Sequence, residues 1–143
     1  MSVAIKRVYE AVSRSDGSRI LVDRLWPRGL TKKRAAIDEW LRDLAPSNEL
    51  RQWYHAQPDQ WELFRKKYLK ELSCPACQEG LRRLYEFAHK KKRLTLLFAS
   101  KIEARNNATV LKELLDGMKK PPTGTGPGAV HALRKREAAI RRR

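Results

Sequence analysis

Leu94-Thr95-Leu96-Leu97-Phe98-Ala99 is a nearly continuous apolar run of strand length, entered from Lys90-Lys91-Lys92-Arg93 and left through Ser100-Lys101. A run of this kind predicts a strand buried on both faces of a sheet, the habit of parallel sheets covered by helices. Helices are predicted on both sides of it. Upstream, Pro75 opens a segment with Leu81, Leu84, Tyr85 and Ala88 on one face, ending in His89-Lys90-Lys91-Lys92-Arg93, where cations suit a helix C-terminus. Asp59 is expected to cap a helix presenting Trp61, Phe64, Tyr68, Leu69 and Leu72, and Ser47 a shorter one with Leu50, Trp53 and Tyr54. Downstream, Asn106 or Asn107 caps a helix carrying Val110, Leu111, Leu114 and Leu115, stopped by Gly117.

Nearer the N-terminus, Val3 to Tyr9 and Arg19 to Val22 read as strands separated by the polar turn Ser13-Arg14-Ser15-Asp16-Gly17-Ser18. Ile37, Trp40, Leu41 and Leu44 follow a helical spacing. The segment is short and runs into Pro46, so a strand is the alternative. The order strand, strand, helices, strand, helix predicts an α/β fold, a small single domain with a partly parallel sheet flanked by helices.

At 143 residues the chain has room for one domain and a tail. Lys and Arg number 32 against 16 Asp and Glu, a net charge of +16, with a pI near 10.4 and a mean hydropathy of −0.68. An apolar share of 41% excludes full-length disorder, and the charge points to an anionic partner. Residues 118–143 hold eight basic residues and one acid, so the preceding part is basic in its own right. The expected organisation is an α/β domain over 1–117, a Pro/Gly linker over 118–128, and a basic tail over 129–143 whose few large apolar residues make an isolated helix marginal. No run has the roughly 18 apolar residues of a membrane span and the N-terminus lacks a signal-peptide pattern, so a cytoplasmic location is expected. Two cysteines cannot form a multi-disulfide framework.

Chemistry in open α/β sheets gathers beyond the carboxyl ends of strands. Two loops qualify: Asp23-Arg24-Leu25-Trp26-Pro27-Arg28-Gly29, and Ser100-Lys101-Ile102-Glu103-Ala104-Arg105-Asn106-Asn107. If their strands are parallel neighbours, one rim holds Arg24, Arg28, Lys101, Arg105 and Asn106 together with the free N–H groups of the following helix. Such a rim selects an anion, a phosphate or a carboxylate. Asp23 and Glu103 are the nearby acid–base candidates for catalysis.

Val22-Asp23-Arg24-Leu25-Trp26-Pro27-Arg28-Gly29, Leu44-Ala45-Pro46-Ser47 with Glu49-Leu50-Arg51 and Trp53-Tyr54, and Leu96-Leu97-Phe98-Ala99 with Asn106 and Val110-Leu111 together resemble the YeaO-like bacterial family, domain of unknown function 488, over about residues 4–115. The resemblance implies a compact cytoplasmic α/β domain whose characteristic site feature is the Asp-Arg-Leu-Trp-Pro-Arg-Gly loop, and it carries no reaction with it. The chain also departs from the family pattern. Members typically carry an acid where Ile102 stands and a His where Arg105 stands. His and a carboxylate are what general acid–base chemistry wants, whereas Arg105 adds a permanent cation with five donors. The departure implies lost chemistry and retained anion binding.

Other features have plainer readings. Cys74-Pro75-Ala76-Cys77 has C-x₂-C spacing, but there is no second pair, the three His lie at irregular distances, and the motif lies between two predicted helices rather than after a strand; a helix–helix turn is expected, and no metal. Ser100 lacks the surroundings of a nucleophile elbow. Thr123-Gly124-Thr125-Gly126-Pro127-Gly128 has no following Lys-Ser/Thr, so it reads as linker and not as a phosphate loop; no cofactor is expected. Trp26 and Pro27 can lock a turn, Arg24 can pair with Asp23 or Glu49, and Trp53, Tyr54, Trp61 and Tyr68 at helical spacing favour core over base stacking. Two functional classes remain: an anion or sequence-independent nucleic-acid binder, placed first because the acid–base pair is missing, and a small-molecule enzyme acting on a phosphorylated or carboxylated substrate at the rim.

Overall fold

The computed structural model describes residues 2–90, 93–118 and Pro122. Four strands, β1 (Ser2–Arg7), β2 (Ser18–Leu21), β3 (Glu39–Trp40) and β4 (Arg93–Phe98), form one sheet in the order β1-β4-β2-β3. Every pairing is parallel, with Ile5 opposite Leu96 on one side of β4 and Ile20 opposite it on the other. The apolar run of β4 is therefore central, and Leu94, Leu96, Leu97 and Phe98 are all buried. Among the described residues five α-helices accompany the sheet: α1 (Lys32–Ala35), α2 (Asn48–Ala56), α3 (Trp61–Leu72), α4 (Pro75–Lys90) and α5 (Asn107–Gly117). The fold is a small α/β domain. The expected linker and tail, 118–128 and 129–143, lie outside the described residues except Met118 and Pro122.

The period-2 geometry of a strand sorts the sheet into two faces. Val3, Ile5, Ile20, Val22, Leu94, Leu96 and Phe98 point to the larger core, filled by Leu50, Tyr54, Phe64, Tyr68, Leu81, Leu84, Val110, Leu111 and Leu114 of α2 to α5. Leu21 and Leu97 point the other way, into a small cluster with Val8 and Ala35, against which Trp26, Ile37 and Trp40 pack. That second face also carries Lys6, Arg19 and Thr95. Asp16 lies over it, accepting from Lys6 Nζ (3.1 Å) and Arg19 Nη1 (2.6 Å), while its carbonyl accepts from Thr95 Oγ1 (2.6 Å). β1 and β2 do not pair with each other. The chain between them crosses the sheet beside β4, and at Gly17, with φ +65°, it passes so close to Arg93 that a Cβ would sit 2.2 Å from its carbonyl oxygen. Only glycine fits there.

Two local expectations are corrected. Ile37, Trp40, Leu41 and Leu44 do not form a helix: the stretch is β3 followed by a 3₁₀ turn, Arg42–Leu44, the strand alternative. The backbone of β2 offers an unpaired edge there, and Asp38 N–H to Arg19 C=O (2.8 Å) and Leu41 N–H to Leu21 C=O (2.9 Å) outcompete local helix bonds. Asp59 lies in the turn before α3, and Gln60 holds the cap position without a side-chain bond. The short α1, capped by Thr31 on Arg34 N–H, was not anticipated. Ser47 and Asn106 cap α2 and α5 as expected.

Candidate functional site

β2 and β4 are parallel neighbours, so the loops leaving their carboxyl ends do share one rim. Asp23 ties the two loops together. Its Oδ2 accepts from Ala99 N–H (2.8 Å) and its Oδ1 from Asn107 Nδ2 (3.0 Å), the same amide group that donates to Val22 C=O (2.9 Å). Its own carbonyl accepts from Trp40 Nε1 at 2.6 Å. Burial pushes the Asp23 carboxyl above its ordinary value of 3.8, against the opposing pull of Asn107, Ala99 N–H and the Arg51 charge.

The Asp-Arg-Leu-Trp-Pro-Arg-Gly loop divides its residues between holding and presenting. Arg24 donates through Nε to Pro46 C=O (3.1 Å) and through Nη2 to Ala45 C=O (3.3 Å), so it braces the segment ahead of α2 rather than pairing with Asp23 or Glu49. Trp26 donates to Leu30 C=O (2.7 Å) and meets the Trp40 ring edge-on at 5.5 Å; Pro27 is buried. Gly29, with φ +81°, turns the chain. Leu25 and Arg28 are the outward residues, and among the described residues Arg28 is anchored through its carbonyl, which accepts from Tyr9 Oη at 2.9 Å.

On the other loop, Asn106 is buried and fully engaged: its Oδ1 accepts from Thr109 N–H, and its Nδ2 donates to Ile102 C=O (2.8 Å) and Glu103 C=O (3.0 Å). It closes the loop and caps α5. Lys101, Glu103 and Arg105 are exposed, and Arg105 is fixed by its carbonyl, which accepts from Tyr54 Oη at 3.0 Å. Arg7, at the end of β1, donates to Ser100 C=O (3.0 Å) and Ala99 C=O (3.1 Å). The Ser100 hydroxyl accepts from Ile102 N–H at 3.1 Å. Thus Arg28, Lys101 and Arg105 project from the rim with no side-chain acceptor among the described residues, while Arg24 and Asn106 are spent on structure.

Two contributors went unassigned in the sequence. Arg51 of α2 lies within electrostatic reach of Asp23, and Asn107 supplies the amide that Asp23 needs. The signal for Asn107 was the Asn-Asn pair itself, since one helix needs only one cap. The aromatic residues follow the core reading, with Tyr54 stacked on Phe64 at 4.2 Å and Lys67 over the Trp53 ring at 4.1 Å.

The sequence profile of a family described as "Inactive DUF488-N3 subclade" matches residues 2–123. This chain belongs to the DUF488 family. Over 115 residues this DUF488 chain is 47% identical to "Uncharacterized protein YeaO" of Escherichia coli (strain K12), a match spanning 80% of the chain and 97% of YeaO. It is 41% identical over 115 residues to "Uncharacterized protein Mb3100c" of Mycobacterium bovis and to "Uncharacterized protein Rv3073c" of Mycobacterium tuberculosis, spanning 94% of each. No solved structure matches the chain. Among the described residues no helix of this DUF488 domain is long and apolar enough to cross a membrane, and no three His, Cys, Asp or Glu side chains converge as a metal site would require.

Proposed function

We propose that this DUF488 member is a non-catalytic anion binder that holds the phosphate backbone of nucleic acid on its strand-end rim, without reading base sequence. The observation that carries this reading is the division of labour at the rim. Asp23, Arg24 and Asn106 are consumed in tying loops together, whereas Arg28 and Arg105 are held by bonds to their backbone carbonyls, and Arg28, Lys101 and Arg105 are all exposed. Cations fixed at the stem and bare at the tip suit phosphate contacts, which supply most sequence-independent affinity. The +16 charge of the whole chain supports the same partner.

The enzymatic alternative is the weaker reading. Both Asp23 carboxylate oxygens already accept hydrogen bonds, Ile102 and Arg105 stand where an acid–base pair is expected, and the matching subclade is described as inactive.

Anisotropy titrations of a labelled single strand and a labelled duplex, at about 50 and 200 mM salt, test the proposal on the full chain and on R28A/K101A/R105A. Three phosphate contacts correspond to about a 40-fold loss of affinity over that salt range. The triple variant should lose that part of the salt dependence, and the wild-type chain should bind different sequences alike. Equal binding by the triple variant and wild type overturns the rim as the site; inorganic phosphate competing at micromolar concentration would instead indicate a small-anion pocket.

A further inference from the structure

The sequence context favoured a plain helix–helix turn for Cys74-Pro75-Ala76-Cys77. The structure keeps the turn and adds an asymmetry between its two thiols that the turn does not need. Cys74 is exposed and Cys77 is buried, 8% accessible, and both are free. They lie within one turn of chain: Cys77 N–H donates to Cys74 C=O at 3.0 Å, as Cys74 N–H does to Glu71 C=O at 3.1 Å. Residues three apart on a helix have Cβ atoms about 5–6 Å apart, against about 3.8 Å in a disulfide, so closure needs a shift of about 2 Å. Cys74 can supply it, because α4 begins only at Pro75 and Cys74 precedes it, meeting its first turn through its carbonyl. Pro75 as first helical residue contributes no N–H that such a shift would break.

The buried sulfur is placed as a resolving group. The Cys77 thiol donates to Asp43 C=O (3.5 Å) and Glu71 C=O (3.6 Å). Burial first, then the nearby Cys74, Asp43 and Glu71, push it up to about 11, so it stays protonated at neutral pH. Ala76, between the two cysteines, lines a groove of about 560 Å³ with Trp40, Arg42, Asp43, Glu79 and Arg83, so the turn that carries the thiols borders an open polar surface.

We propose that Cys74 and Cys77 form a redox-active dithiol that closes to an intrachain disulfide by exchange with a low-molecular-weight disulfide. The Cys74 thiolate attacks one sulfur of the disulfide. A mixed disulfide forms at Cys74, the attacked bond breaks, and the departing thiolate takes up the proton that Cys74 gave to solvent. Cys77 then loses its proton to solvent and attacks the Cys74 sulfur, expelling the second thiolate, which is protonated in turn. Two protein thiols are oxidised and one disulfide is reduced to two thiols. The proposal does not rest on the anion-binding reading.

The test incubates the reduced full chain with oxidised glutathione, quenches by alkylation and reads the mass. Wild type should lose both free thiols and retain no glutathione, C77S and C77A should each accumulate one glutathionyl group at Cys74, and C74S should stay unmodified. Resolution of the mixed disulfide in wild type should accelerate about tenfold per pH unit in the range below pH 11. A wild type that keeps both thiols, a stable glutathione adduct on wild type, or a Cys77 that reacts in C74S as fast as Cys74 does in C77A would each overturn the proposal.

Discussion

Asp16 and Asp23 stand at the two ends of β2, and their surroundings are built from different materials. Asp16 lies on the face of the smaller cluster and is satisfied by two cations, Lys6 and Arg19, with Ser13 N–H as a third donor at 3.0 Å. Asp23 lies at the rim and is satisfied by neutral amides, Ala99 N–H and the Asn107 side chain. The titration follows the donors. Burial raises the Asp16 carboxyl, but Ser13, Lys6 and Arg19 together outweigh it and hold the group below 3.8; at Asp23 burial wins over its amides and the group is raised. A charge balanced inside the fold consumes cations, whereas a carboxylate held by amides leaves the neighbouring cations turned outward. That contrast is why the rim, and not the crossover, is the candidate anion site.

The largest expected effect comes from the cation-paired end. Arg19→Met leaves Asp16 buried beside Lys6 alone and strips the Ala35 and Ala36 carbonyls of their donors, so it should cost about 3–5 kcal/mol in urea unfolding. Asp23→Ala leaves the Ala99 N–H and the Asn107 amide without acceptors and should cost about 2–3 kcal/mol, with Asp23→Asn costing about half of that. Should Asp23→Ala prove as costly as Arg19→Met, the contrast between the two ends fails.

The pH dependence sharpens the contrast, because the signs are opposite. Asp16, with its folded value lowered, contributes stability that is present above pH 3.8 and lost as pH falls through the lowered value. Asp23, with its folded value raised, favours folding below pH 3.8 and loses that contribution as pH rises through the raised value. Unfolding free energy followed from pH 7 to pH 3 should therefore show the wild-type advantage over Asp16→Asn shrinking in acid, and the advantage over Asp23→Asn growing. Parallel curves for the two variants would mean that the two environments are equivalent after all. The smallest stability effect belongs to Arg28→Ala, within about 0.5 kcal/mol of wild type. Its signature is elsewhere: the slope of log affinity for nucleic acid against log salt should fall by about one.

Local pattern identified most of the elements and missed where partners decide. Leu94 to Ala99 was readable as a doubly buried strand because one side chain in two must enter each face and nearly all are apolar. Ile37 to Leu44 stood between helix and strand, since its apolar spacing suits a helix and the decisive hydrogen bonds come from Arg19 and Leu21, far back in the chain. At the candidate site, Asp23, Arg24, Arg28, Lys101, Arg105 and Asn106 were all legible as residues of strand-end loops. Their roles were not, because an Arg that braces two carbonyls and an Arg that faces solvent look the same in one dimension.

What the amino-acid sequence determined by itself is whatever depends on a residue and its near neighbours: the buried β4 run, the Ser47 and Asn106 caps, the excess of cations, and the strands β1 and β2 with the helices α2 to α5. What only the tertiary structure decided is pairing. It placed β4 between β1 and β2, brought Asn107 to Asp23 and Arg24 to Pro46, and set Cys77 against the Asp43 carbonyl. Pairing joins atoms separated by tens of residues, and its free energy comes from burial and from donors that must find acceptors, neither of which a local spacing records.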